Sequence, residues 1–170
     1  MIEEPKPDYR VGIGTDIHRL VEGRKLMLGG ILVPCPAGLA GHSDGDAALH
    51  SIIDALLGAA GMGDIGTLFP DTDLQWKEAD SKGLLVAVRE RLEEKQWEIV
   101  NVDLIIHAEQ PRLESVKGQM KRCIAGLLGI DFTSVNVKAK TNEGLGEIGA
   151  GEAIAATATV LLKKKRKRTL

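Results

Sequence analysis

Two short stretches hold most of the residues able to do chemistry: "TDIH" at Thr15–His18 and "LAGHSDGDAALH" at Leu39–His50. On a strand, residues i and i+2 point to one face. Asp16 and His18 would therefore leave the same side of a strand end, about 7 Å apart along the backbone. His50 falls in an apolar segment with helical spacing, one turn after Asp46. One carboxylate and two imidazoles make a sensible three-ligand set for zinc, with a fourth position open to water or substrate. Imidazole favours zinc over magnesium. The same residues also admit a plainer reading, a polar strand end and a satisfied core histidine, and spacing alone leaves both standing.

His42 and Ser43 fall just before or at the start of the predicted helix. Ser43 with Asp46 resembles a capping box, although the usual fourth residue is Glu or Gln. A helix N-terminus also offers free N–H groups to an anion, with His42 and Ser43 as further donors. Asp44 and Asp46 oppose an anion, so a phosphate here needs a cation close by.

The elements that must position these groups are legible in outline. "RVGIGTD", Arg10–Asp16, reads as a first strand, and "KLMLGG" as a second, joined across "EGR" as a hairpin. "ILVPCPAGLAG" reads as loop. A helix is predicted from about Ser43 to Ala60, with apolar Leu49, Ile52, Ile53, Leu56 and Leu57. "GMGDIGTLFPDTD" is irregular, and a second helix spans roughly Ser81–Lys95. "EIVNVDLIIHA" is a strand. "PRLESVKGQMKRCIAGLLG" begins with proline and ends with glycine, as a helix should. "SVNVKAKT" and "EAIAATATVLLK" are further strands. Interleaved helices and strands predict an α/β or α+β domain, a mixed sheet with helices on one face.

The 170 residues suit a single domain spanning 1–170, with an N-terminal extension over 1–9 and a basic tail over 163–170. Aromatic residues make up only 3%, so the core must be built from Leu, Ile, Val and Ala. A net charge of −2 gives no global drive toward nucleic acid or membranes. Cys35 and Cys123 stand far apart, which fits a reducing cytosol better than a disulfide framework. No apolar run is long enough to span a bilayer. The start lacks a signal peptide's apolar core, and a cytoplasmic location is expected, or a plastid one if a targeting segment has been removed. "KKKRKR" at Lys163–Arg168 reads as a solvated terminus.

"GTDIHRL", "LAGHSDGDAALHSIIDALLGAAGMGDIGTLFPDTD" and "VKAKTNEGLGEIGAGEAIA" together resemble the 2-C-methyl-D-erythritol 2,4-cyclodiphosphate synthase family, over about Arg10 to Leu162. The resemblance implies cyclisation of 4-diphosphocytidyl-2-C-methyl-D-erythritol 2-phosphate with release of CMP, in non-mevalonate isoprenoid synthesis. It implies a homotrimer with active sites between subunits, one zinc per subunit and a second divalent ion, magnesium or manganese. By resemblance, Asp16, His18 and His50 hold the zinc. His42 and Ser43 contact substrate phosphates. Asp64, Ile65 and Gly66 hold the methylerythritol hydroxyls, followed by the substrate loop Phe69, Pro70, Asp71, Thr72 and Asp73. Thr141, like His42, stabilises the transition state. Glu143 is associated with the second metal and the diphosphate, beside Lys140 and Asn142. Ala108 to Glu114, including Pro111, Arg112, Leu113 and Glu114, bind cytidine from the adjacent subunit.

Two positions depart from the family pattern. Glu147 and Ala150 stand where many members carry an aromatic residue and an arginine, so no diphosphate-binding role is carried over there. Lys140 stands where several members have threonine. Among rival functions, a zinc hydrolase or deaminase usually needs a glutamate in H-x-E or H-E-x-x-H, and neither occurs. A structural zinc site usually has four protein ligands, and a nucleotide-binding module would show a phosphate-binding loop that is absent here.

Overall fold

The computed structural model describes residues 9–70 and 79–165. A five-stranded sheet in the order β4-β1-β7-β5-β6 forms its frame, with a separate two-stranded ribbon β2-β3. β1 (Tyr9–Glu22) is twice the expected length and runs antiparallel to β7 (Ala153–Lys164) from Tyr9↔Lys163 to Arg19↔Ala153. β7 pairs antiparallel with β5 (Trp97–His107), and β5 pairs parallel with β6 (Val135–Lys140), so the sheet is mixed, as expected.

The expected hairpin across "EGR" does not form. β2 (Leu26–Leu28) pairs instead with β3 (Ile31–Val33) around Gly29 and Gly30. Both glycines have positive φ, +63° and +76°, which a two-residue hairpin turn of the primed type requires. The hairpin signal was therefore "GG". The stretch expected as loop holds β3 and also β4 (Ala37–Leu39), which pairs with the far end of β1.

α1 (Ala47–Ala60) starts four residues later than predicted. Asp46, not Ser43, is its N-cap, accepting from the Leu49 N–H at 3.0 Å. The same buried carboxylate accepts from the N–H groups of Gly29 (2.9 Å) and Gly30 (2.7 Å), which ties the ribbon's turn to the helix start. The capping box with Ser43 is thus corrected. Burial pushes the Asp46 carboxyl up from its usual range, against these three hydrogen bonds.

α2 (Ile65–Leu68) is one turn inside the stretch expected to be irregular, and α3 (Ser81–Glu94) matches its prediction. α4 (Lys117–Leu128) does not begin at Pro111 as expected but six residues later, while its end at Gly129 in the left-handed conformation is as the sequence indicated. A short turn, α5 (Gly146–Gly149), precedes β7.

Helices α1, α3 and α4 cover one sheet face, and the core between them is Leu, Ile, Val and Ala with few aromatics. Alternation along β1 sends Arg10, Gly12, Gly14, Asp16 and His18 to the helix face. It leaves Val11 (69% exposed), Ile13 (68%) and Ile17 (57%) on the other. Gly12 and Gly14 are required by packing: a Cβ at these positions would lie 1.9 Å from the Ala55 carbonyl oxygen and 2.1 Å from that of Ser51. The backbone of α1 therefore rests directly on β1.

Candidate functional site

This close approach brings the first constellation together. Continuing along the helix face of β1 past Gly14 come Asp16 and His18, and beside them on α1, one residue before Ser51, comes His50. Asp16 Oδ2 lies 2.8 Å from His18 Nε2 and 2.9 Å from His50 Nδ1, and the two nitrogens are 3.3 Å apart. Among the described residues, this trio is the one cluster of three His, Cys, Asp or Glu groups whose ligand atoms converge.

The trio fits a metal ion. A tetrahedral ion with bonds of about 2.0–2.1 Å separates its ligand atoms by about 3.3 Å, close to what is found. His18 Nδ1–H donates to the Ala40 carbonyl at 2.5 Å, and a carbonyl can only accept. In the neutral ring, Nε2 is then a lone pair aimed at the Asp16 carboxylate, an arrangement that a cation between them relieves. The electrostatics agree. Asp16 is pushed up by burial, but the imidazoles of His18 and His50 outweigh this and hold its carboxyl well below the usual range. The Asp16 carboxylate in turn raises His18, against its partial burial.

A cavity of about 230 Å³ opens over the trio, lined also by His42, Ser43, Ile65, Gly66, Phe69 and Leu84. The structure thus places His42, Ser43, Ile65, Gly66 and Phe69 around one cavity with the trio. Asp64 is exposed and caps α2 through the Thr67 N–H at 2.7 Å, and Pro70 is exposed beyond the cavity lining. Asp71, Thr72 and Asp73 lie outside the described residues. The expected anion site on the N–H groups of α1 is not there. Asp46 occupies that helix start, and His42 and Ser43 precede it in a turn where Ser43 Oγ accepts from Gly45 N–H at 3.2 Å.

The second constellation forms at the same end of the sheet, where β5 and β6 finish. A cavity of about 300 Å³ is lined by Ala108, Glu109, Pro111, Arg112, Leu113, Glu114, Lys140 and Thr141. Thr141 Oγ1 donates to Glu143 Oε1 at 2.7 Å. The Asn142 N–H donates to Glu109 Oε2 at 3.1 Å, which ties this loop to the one after β5. Leu113 and Ala108 are buried and anchor their loop, while Arg112 and Glu114 are exposed. Three strand spacings separate β1 from β6, about 14 Å, and the two cavities share no lining residue.

Sequence reasoning missed several supports. Asp54 accepts from the Ile65 N–H at 2.7 Å and fixes the start of α2. Glu109 anchors Asn142, and Asp44 and Ser81 stand beside His50. These supporting contacts could not be read from local pattern because the partners lie 11 to 37 positions apart. Glu147 is exposed on α5 and Ala150 caps its end. A larger cavity of about 430 Å³ lies at the opposite pole, around Arg89, Trp97 and Lys163.

The family model described as the YgbB family matches residues 9–163. A 2-C-methyl-D-erythritol 2,4-cyclodiphosphate synthase from Neisseria gonorrhoeae is 53% identical over 155 residues, covering 91% of this chain and 97% of that protein. One from Treponema denticola is 50% identical over 153 residues, covering 90% and 95%. Among solved structures, the IspF of Plasmodium falciparum in its CDP complex superposes with a TM-score of 0.83 at 36% identity, covering 95% of this chain and all (100%) of that one. The bifunctional IspDF of Campylobacter jejuni superposes with a TM-score of 0.90 at 42% identity, covering 95% of this chain and 44% of that one.

Proposed function

The chain belongs to the YgbB family, and from that premise we propose that it is a 2-C-methyl-D-erythritol 2,4-cyclodiphosphate synthase, a phosphorus–oxygen lyase of non-mevalonate isoprenoid synthesis. The observation that carries this reading is the convergence of Asp16, His18 and His50 beneath a cavity also lined by His42, Ser43, Ile65 and Gly66. Near-full-length relatives at about half identity bear that activity in their names.

In the reaction, an oxygen of the substrate's 2-phosphate attacks the β-phosphorus, a new P–O bond closes the ring, and the bond to CMP breaks. The nucleophile is already ionised and the leaving group is a phosphate, so no strong base is needed. The protein's task is to fold the substrate for in-line attack and to offset charge. Zinc suits Asp16, His18 and His50, and magnesium or manganese suits Glu143. When bound, such ions polarise phosphoryl oxygens and reduce repulsion between two anions. His42 and Ser43, at the mouth of the first cavity, present donors to the phosphates. Asp64, Ile65 and Gly66 hold the methylerythritol hydroxyls, with Phe69 to Asp73 continuing the substrate wall. Ala108 to Glu114 with Lys140 and Asn142 take the cytidine end, and Thr141 donates to oxygens that gain charge.

The separation of the two cavities supports a site shared between copies, and the apolar outer face of β1 supports a homotrimer that covers it. No helix among the described residues is long and apolar enough to cross a membrane. We place the enzyme in the cytoplasm, or in a plastid if a targeting segment has been removed. The experiment is direct: purified protein with zinc and magnesium should release CMP from 4-diphosphocytidyl-2-C-methyl-D-erythritol 2-phosphate in equal amount to the cyclic product. Hydrolysis to an uncyclised product, or no CMP, overturns the reading.

A further inference from the structure

His50 offers Nδ1 to Asp16 and His18 and turns Nε2 the other way, into the protein. There, Nε2 lies 2.9 Å from Ser81 Oγ. Ser81 is the first residue of α3 and has no exposed surface. Its hydroxyl makes a short hydrogen bond to Asp44 Oδ1, and its N–H lies 3.3 Å from Asp44 Oδ2. The proton directions follow from which groups can donate. An ionised carboxylate only accepts, so the Ser81 hydroxyl spends its single proton on Asp44. Its oxygen is then an acceptor toward His50, and Nε2 must carry the ring proton. In the neutral ring that leaves Nδ1 as a lone pair, on the side where Asp16 and His18 converge.

Resting on the metal-site reading above, we infer that Ser81 and Asp44 are positioning residues that lock the tautomer and orientation of His50 for metal binding. The chain Asp44–Ser81–His50 joins the turn before α1, the N-terminus of α3 and the ligand on α1. It plays for His50 the part that the Ala40 carbonyl plays for His18. Carboxylate and carbonyl partners on the outer nitrogen of a ligating histidine orient the ring and raise its basicity. Ser43 Oγ also comes within 3.2 Å of Nε2; it accepts from the Gly45 N–H and has a second lone pair for Nε2, so this longer contact leaves Nε2 as the donor.

The test uses the full-length protein stripped of metal, with zinc alone as the probe. Zinc affinity is measured by chelator competition for wild type, Ser81→Ala, Asp44→Ala, the double variant, Asp44→Asn and Ser43→Ala. Nitrogen NMR of the histidines at neutral pH reads the His50 tautomer without metal. Ser81→Ala and Asp44→Ala should each weaken zinc binding about 10- to 100-fold, and the double variant should lose no more than the worse single one, since both act through one chain. Asp44→Asn keeps an acceptor for the serine and should recover most of the loss. Ser43→Ala should stay within about threefold of wild type, well short of that loss. The NMR should show Nε2–H in wild type and a mixture of tautomers in Ser81→Ala. Should buried Ser81→Ala fail to fold, the Asp44 variants decide on their own. Wild type without zinc affinity overturns the metal site itself. Wild type that binds zinc, with Asp44→Ala or Ser81→Ala equally tight and His50 unchanged in tautomer, overturns the relay and leaves the metal site intact.

Discussion

Gly14 on β1 and Ser51 on α1 meet backbone to backbone, so that a Cβ on residue 14 would fall 2.1 Å from the Ser51 carbonyl oxygen. Two residues further along β1 is Asp16, and one residue before Ser51 is His50. The contact that packs the helix on the sheet therefore also sets the distance between two candidate metal ligands.

Gly14→Ala should accordingly damage both stability and site. The atoms it would meet, the Ser51 oxygen, the Ala55 nitrogen and the Asp54 Cβ, are not flexible side-chain tips, so the helix must move, and overpacking of this kind costs about 1–3 kcal/mol or more. Urea denaturation should show that loss, and zinc affinity should fall with it. A variant as stable as wild type with undiminished zinc affinity would show that α1 does not need this contact.

His50 and His42 should separate cleanly. His50→Ala removes one of three converging groups and should lower bound zinc from about one per chain to a small fraction of that. His42 lines the cavity but is not one of the trio. His42→Ala should retain its zinc while turnover drops about 100-fold or more, as for loss of a donor to developing charge. Metal analysis of the two proteins, set beside CMP release, checks the division. Full zinc occupancy in His50→Ala would refute the ligand assignment.

The unpartnered face of β1 gives a third prediction. Val11, Ile13 and Ile17 alternate with the residues that face α1 and are all more than half exposed. Ile13→Glu places a charge on that face without touching the core or the metal trio. It should convert the proposed homotrimer to monomers in analytical ultracentrifugation, with zinc still bound and CMP release lost. A monomeric wild type, or a trimeric Ile13→Glu, would show that this face is not the one that assembles.

The legible part of this protein was the part whose partners are close in sequence or alternate with a period. The core helices, the strands β5 to β7 and the shared face of Asp16 and His18 follow from local pattern alone, although β1 runs on to Glu22 and the pair lies within it rather than at its end. What escaped was set by contacts across the chain. The helix start moved from Ser43 to Asp46 because the Asp46 carboxylate also satisfies the turn at Gly29 and Gly30. Nothing within four residues of Asp46 announces that. The "EGR" hairpin failed for a related reason: β1 continues past its glycine-rich centre to pair with β4, which only the folded register reveals. Likewise Ser81 reads as an ordinary helix-start serine until His50, 31 positions earlier, is found beside it.

The last prediction tests whether the two cavities belong to one site. Asp16, His18 and His50 lie on β1 and α1, whereas Arg112 and Thr141 lie on loops after β5 and β6, two and three strand spacings from β1, about 10 and 14 Å across the sheet. If one chain's metal cavity is completed by its neighbour's nucleotide cavity, His50→Ala trimers lack every metal half. Trimers of the Arg112→Ala/Thr141→Ala chain lack every nucleotide half, and each homotrimer should be nearly inactive. Unfolded together in equal amounts and refolded, the chains should assort at random. In a closed ring, a working site then needs an intact metal half beside an intact nucleotide half, which occurs for about one site in four. CMP release should return to roughly a quarter of wild type, and mixing the folded proteins without subunit exchange should restore nothing. Verified mixed trimers that remain inactive would mean that each site is built within one chain, and that the two cavities act on the substrate from the same copy.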